Sequence, residues 1–122
     1  MTGFIVIRVL EEIGIRMKNK VKEFRAKLIR CVDGDTVDFE VDLGFYIHGR
    51  IRFRLIGVNT PERGRPQYAE ATRMLEDLIE KEADEEGYIT IRTGKTGKYG
   101  RWLVDIGEGG AVNEALAKIW PY

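Results

Sequence analysis

Cysteine and histidine occur once each in this 122-residue chain, as Cys31 and His48. A single cysteine forbids an intramolecular disulfide and tolerates a reducing compartment. With one histidine and no Cys/His cluster, the chain cannot build a zinc site in any common pattern, which removes several enzyme classes. Cys31 lies in the apolar segment Leu28-Ile29-Arg30-Cys31-Val32. That setting favours a structural thiol over a nucleophile. No apolar run is long enough to cross a membrane. An excess of either charge is also lacking: 20 basic residues balance 20 acidic ones, so net charge points to no polyanion partner. Internal repeats, low-complexity stretches and linkers are absent.

What remains is one small domain, with enough chain for a single core and too little for two. A hydrophobic share of 43% against 33% charged is that of an ordinary soluble globular protein. The charges are segregated. Residues 70–86 are rich in Glu and Asp and read as a solvated surface, whereas arginines and lysines gather around Arg50/Arg52/Arg54, Arg63/Arg65 and Arg92/Lys95/Lys98/Arg101. A neutral protein with segregated charge can still present one basic face to a polyanion.

The first residues allow three readings. Val6, Val9, Leu10, Ile13 and Met17 fall at helical spacing, the β-branched run at 5–7 favours a strand, and Met17 could open the natural chain behind an upstream extension. Phe4-Ile5-Val6-Ile7 looks like the start of a secretory signal, but Arg8 and Glu11-Glu12 interrupt it and no small-residue cleavage site follows. The expected location is therefore cytoplasmic, with secretion as the alternative. Residues 1–21 are treated as an extension without assigned function, and residues 22–122 as the domain.

Within the domain, Phe24 to Val32 predicts a strand closed by the turn pair Asp33-Gly34. Val37, Phe39, Val41 and Leu43 alternate with Asp38, Glu40 and Asp42, the pattern of a half-buried strand. Residues 44–49 read as a loop. Ile51, Phe53 and Leu55 then alternate with Arg50, Arg52 and Arg54 in a third strand, antiparallel to the second. Pro66 suits the first position of a helix whose stripe is Tyr68, Ala71, Leu75, Leu78 and Ile79, stopped by Gly87. Strands at Tyr88–Ile91 and Trp102–Ile106 flank a turn at Gly94–Gly97, and a short helix covers 111–119. Five short antiparallel strands with a helix after the third and another at the end predict an α+β, OB-fold barrel.

Three clusters could carry chemistry. Asp35 follows a tight turn at the head of a strand, where it serves either as an Asx-type turn residue or as a rim carboxylate; taken alone, the motif favours the turn. After the third strand, the Asn59 amide and the Thr60 carbonyl offer neutral oxygens of the kind a calcium-like ion accepts beside a carboxylate. Glu62, past Pro61, is either an exposed charge or a base for a nearby water. Arg54 is either a surface arginine or a phosphate clamp. Lys98-Tyr99-Gly100-Arg101 is a basic turn or a second phosphate contact. Combined, these are the parts needed to hold a hard cation against a phosphodiester and attack it with water.

In this order the chain resembles the staphylococcal nuclease (thermonuclease) family. The resemblance rests on Asp33-Gly-Asp-Thr-Val37, Phe53-Arg-Leu-Ile-Gly-Val-Asn-Thr-Pro-Glu62, Lys98-Tyr-Gly-Arg101 and Val112-Asn-Glu-Ala-Leu116, and it covers roughly residues 24–120. It implies an OB-like barrel that hydrolyses DNA and RNA with bound calcium, magnesium or another divalent ion being the alternative. Asp35 matches a metal-binding aspartate, Thr60 the metal-binding carbonyl, and Glu62 the glutamate that activates or orients water. Arg54 and Arg101 match the arginines that neutralise the phosphoryl group, and Lys98 and Tyr99 contacts to a neighbouring phosphate.

Two departures stand out. Asn59 stands where the best-known member of the family has an aspartate, so calcium is expected to bind weakly alone and more tightly with nucleotide. The loop after Glu62 is shorter than in the family, leaving Trp120 and Tyr122 as candidates for a nucleobase platform. The expected protein is a monomeric, sequence-tolerant nuclease acting on DNA or RNA away from membranes. A non-catalytic module that binds single-stranded nucleic acid is the alternative.

Overall fold

In the computed structural model, residues 21–96 and 100–122 are described. The expectations for the N-terminal extension, and the substrate contacts expected of Lys98 and Tyr99, lie outside the described residues. Five strands, β1 (Lys22–Asp33), β2 (Thr36–Asp42), β3 (His48–Leu55), β4 (Tyr88–Thr96) and β5 (Trp102–Ile106), close into a barrel in the order β1-β2-β3-β5-β4. Helix α1 (Tyr68–Glu82) follows β3, and a 3-10 turn (Glu108–Gly110) leads into helix α2 (Ala111–Ala117). This is the expected OB-like α+β barrel.

Alternation explains the interior. Val37, Phe39 and Val41 of β2 meet Phe53 and Leu55 of β3 and Ile89, Ile91, Val104 and Ile106 of the last two strands. Phe39 and Phe53 pack with ring centroids 6.1 Å apart and planes tilted by 58°, a favourable aromatic geometry. From α1, Ala71, Leu75 and Ile79 are buried in the same core, as their stripe predicts. Each buried Val, Leu, Ile or Phe side chain contributes about 1.5–3 kcal/mol.

Four details differ from expectation. The strands are not all antiparallel: β3 and β5 pair parallel through Phe53–Leu55 and Trp102–Val104, and this pairing closes the barrel. β3 begins at His48, and Leu43, beyond the end of β2, is exposed rather than inward. Pro66 does not open α1; residues 62–68 form turns (Arg65 N–H to Glu62 O, 3.0 Å; Tyr68 N–H to Arg65 O, 3.3 Å) that delay the helix to Tyr68. The Tyr68 hydroxyl then donates to the Val32 carbonyl at 2.9 Å, tying the helix start to the end of β1. Last, β4 continues through Gly94 to Thr96, with its register against β5 broken between Thr93 and Thr96, as a β-bulge allows. Among the described residues no helix is long and apolar enough to cross a membrane.

Candidate active site

The β1–β2 turn builds the first wall of the site. Asp33 Oδ1 accepts the backbone N–H of Asp35 at 3.1 Å, an Asx turn. The turn role therefore falls on Asp33, which leaves the Asp35 carboxylate for other partners. Asp35 is buried, and both its oxygens are engaged. Oδ1 accepts from Thr36 Oγ1 (3.1 Å); Oδ2 accepts from the Thr60 N–H (3.0 Å) and lies 2.8 Å from Arg54 Nη1. Arg54 Nη1 also reaches the Asp35 carbonyl at 3.3 Å. Its guanidinium is thus not simply aimed off the barrel: it is largely buried beside a carboxylate.

Close packing positions Thr60. A Cβ on Gly34 would lie 2.7 Å from Thr60 Cγ2 and 2.8 Å from the Ala71 Cβ, so only glycine lets the turn, the 58–62 segment and α1 meet here. The 56–60 segment is pinned from its other side. The Asn113 amide donates to the carbonyls of Ile56 (2.9 Å) and Val104 (3.0 Å) while its oxygen accepts the Ile106 N–H (2.9 Å). The Asn59 N–H donates to Trp120 O at 3.0 Å, and a bridge joins Val58 to Pro121.

These walls enclose a cleft of about 770 Å³ lined by Asp33, Asp35, Arg54, Asn59, Thr60, Glu62, Arg101 and Tyr122, among others. Six of the eight predicted site residues converge there; the other two, Lys98 and Tyr99, lie outside the described residues. Asn59, Glu62 and Arg101 are solvent-exposed on the rim, whereas Asp35 and Thr60 are buried at the base. Of the two aromatic candidates, Trp120 is in the core and only Tyr122 faces the cleft. A smaller cleft of about 400 Å³ is lined by Arg25, Asp84 and Tyr88, where the Arg25–Asp84 pair (2.6 Å) already matches the charges.

Asp33 is the residue that sequence reasoning missed. Its side chain is pushed above the usual carboxylate range, first by burial and then by hydrogen bonding to Asp35. Its adjacency to Asp35 in the motif was the available signal.

Whether the cleft suits a cation follows from its donors. The carboxylates of Asp33 and Asp35, the Asn59 amide and the Thr60 carbonyl are all oxygens, the set a hard cation takes. Among the described residues the Thr60 carbonyl accepts no hydrogen bond, and Thr60 Oγ1 is buried without a partner. The residues fit such an ion, although among the described residues no three His, Cys, Asp or Glu side chains gather into a metal cluster. Cys31 takes no part: burial, then Glu76 and Asp33, push its thiol up to about 12, so it is inert.

No protein-family model and no curated protein matches the chain.

Proposed function

We propose that the chain is a metal-dependent phosphodiesterase of the thermonuclease kind, hydrolysing DNA or RNA with little sequence preference. The observation that carries this reading is the convergence of Asp35, Arg54, Glu62 and Arg101, distant in sequence, on one cleft. Asp33, Asp35, Asn59 and Thr60 would hold a calcium-like ion. When bound, that ion supplies positive charge against the phosphate.

The residues then divide the work. Glu62, exposed on the rim, accepts a proton from water as the water oxygen bonds to phosphorus and the P–O bond to the leaving group breaks. Arg54 and Arg101 donate hydrogen bonds to the phosphoryl oxygens, where negative charge grows in the transition state. Tyr122 offers a ring for a base at the cleft edge.

The test is digestion of single-stranded DNA with calcium, magnesium or chelator. Cleavage should require the ion, and Glu62→Gln and Arg101→Ala should each slow it by about 10²–10⁴-fold. Binding of DNA without ion-dependent cleavage would shift the reading to the non-catalytic module. With Asn59 neutral, calcium should bind weakly alone and more tightly beside a nucleotide. Equal affinities in calorimetric titrations with and without nucleotide would contradict this.

A further inference from the structure

The hairpin joining β2 to β3 has an unusual tip. Ile47 N–H donates to the Gly44 carbonyl at 2.9 Å, closing a turn whose central residues are Phe45 and Tyr46. Both have positive φ, 55° and 61°, as in a type I′ hairpin turn, where Asn-Gly is the unstrained choice. The two rings return nothing to the fold: Phe45 is 91% exposed, and Tyr46 is fully exposed. The tip is nonetheless well held, since Leu43 N–H donates to Ile47 O (2.8 Å) and Gly44 N–H to Asp42 Oδ1 (2.9 Å). Strained backbone that presents two aromatic rings to solvent on a fixed frame points to a ligand for those rings.

An independent observation runs along β3. Arg50, Arg52 and Arg54 alternate with Ile51, Phe53 and Leu55 at intervals of about 6.6 Å; Arg50 and Arg52 are exposed on the outer face, and Arg54, largely buried and paired with Asp35 at 2.8 Å, ends the row. Arg54 lies in the cleft wall, and Arg50 stands nearest the tip. The carboxylates of β2 do not cancel this ladder. Asp38 lies between Arg30 and Arg52 in the register, and Glu40 between Lys27 and Arg50. Each carboxylate meets two cations, so each of these rows keeps a net positive charge.

We propose that this ledge is a docking track for single-stranded nucleic acid, running from the cleft along β3 to bases stacked on Phe45 and Tyr46. The proposal rests on the nuclease reading for what enters the cleft, but not for the track itself. Six residue steps of β3 separate Arg54 from His48, about 20 Å of strand, and the tip adds to that span. That distance accommodates a strand of roughly four or more nucleotides, the low end of site sizes on OB folds. Basic residues following a backbone, with aromatic rings to receive bases, are what sequence-tolerant single-strand binding needs. A duplex keeps its base faces covered, so exposed rings select single strands. An anionic bilayer fits less well, because Asp42 sits at the base of the tip, where its charge opposes an anionic surface.

The experiment measures anisotropy of end-labelled oligothymidylates of two to twelve nucleotides, with chelator present to prevent turnover. The parent chain should gain affinity as length passes about four nucleotides. Phe45→Gly with Tyr46→Gly, which keeps the left-handed turn accessible, should weaken long oligonucleotides at least tenfold and leave the dinucleotide unchanged. Arg50→Ala should weaken the long ones too, and lower the slope of log affinity against log salt by about one. Equal affinities for parent and variants at every length would overturn the track. So would vesicles of phosphatidylserine and phosphatidylcholine that bind the parent and lose the tip variant while oligonucleotide binding stays unchanged. A parent that cleaves but shows no length dependence keeps the nuclease reading and loses the track. A parent that binds long strands through the tip but does not cleave them with any ion keeps the track and loses the nuclease reading.

Discussion

Asp35 and Arg54 hold each other in the cleft wall, with Nη1 of the guanidinium 2.8 Å from Oδ2 of the carboxylate and both side chains largely buried. Removing one partner of such a pair strands a charge away from water, which is worse than removing both. Asp35→Asn should therefore lower unfolding free energy by about 3 kcal/mol. Adding Arg54→Met should recover more than half of that loss. Urea denaturation of the two single variants and the double variant gives the coupling. Additive losses would mean that the pair contributes nothing as a pair.

Gly34 is fixed by what stands over it. An added methyl would overlap Thr60 Cγ2 and the Ala71 Cβ, both buried. Gly34→Ala is expected to destabilise by about 1–3 kcal/mol, as overpacking does. On the nuclease reading it should also slow cleavage, because Thr60 would shift away from Asp35. Gly49 is the control: its Cβ would meet the flexible end of Leu43 at 3.1 Å and Ile51 Cδ1 at an ordinary 3.9 Å. If Gly49→Ala costs as much as Gly34→Ala in thermal denaturation, the contact over Gly34 is not what matters.

These two positions also show what a sequence can disclose. Asp-Gly-Asp-Thr advertises a turn, and alternation in Thr36–Leu43 and Arg50–Leu55 advertises the strands around it, because period-two burial is written residue by residue. Convergence of Arg54, Glu62 and Arg101 was legible only as an ordered set, since no local signal carries a distance between segments. The reverse holds for Asp33, Trp120 and Phe45. Which aspartate closes the turn depends on a hydrogen bond to Asp35 N–H. That Trp120 enters the core depends on how α2 docks. The left-handed backbone at Phe45-Tyr46 contradicts local preference outright, so no propensity argument could have found it. Parallel closure of β3 on β5 likewise belongs to the whole barrel.

Asp38 predicts an acid response. Arg52 chelates it through hydrogen bonds of 2.8 and 3.1 Å, and Arg30 stands 3.8 Å away on the other side. The hydrogen bonds from Arg52 come first, and the charges of Arg52, Arg30 and Arg50 follow, in holding the Asp38 carboxyl below its ordinary value. A depressed folded-state value means stability that is fully present above the unfolded pKa, about 3.9, and lost as pH falls through the folded one. The stability gap between parent and Asp38→Asn should accordingly be widest near neutrality and shrink below about pH 4. Melting temperatures recorded from pH 2 to 7 read this directly. A gap that stays constant across that range contradicts the assignment.

At the hairpin tip, stability and display should pull in opposite directions. Tyr46 holds φ at 61° with a Cβ that a left-handed backbone crowds. Tyr46→Ala and Tyr46→Gly both remove the ring, which is fully exposed and packs on nothing, so they differ only in that Cβ and in the freedom of the unfolded chain. Release of the left-handed penalty, about 1–2 kcal/mol, outweighs the extra unfolded-state entropy of glycine, about 0.5–1 kcal/mol. The glycine variant should thus be the more stable of the two by up to about 1 kcal/mol, a few degrees in melting temperature. Equal melting temperatures would mean that the turn carries no strain, and the case for a ligand at the tip would then rest on exposure and the arginine ladder alone.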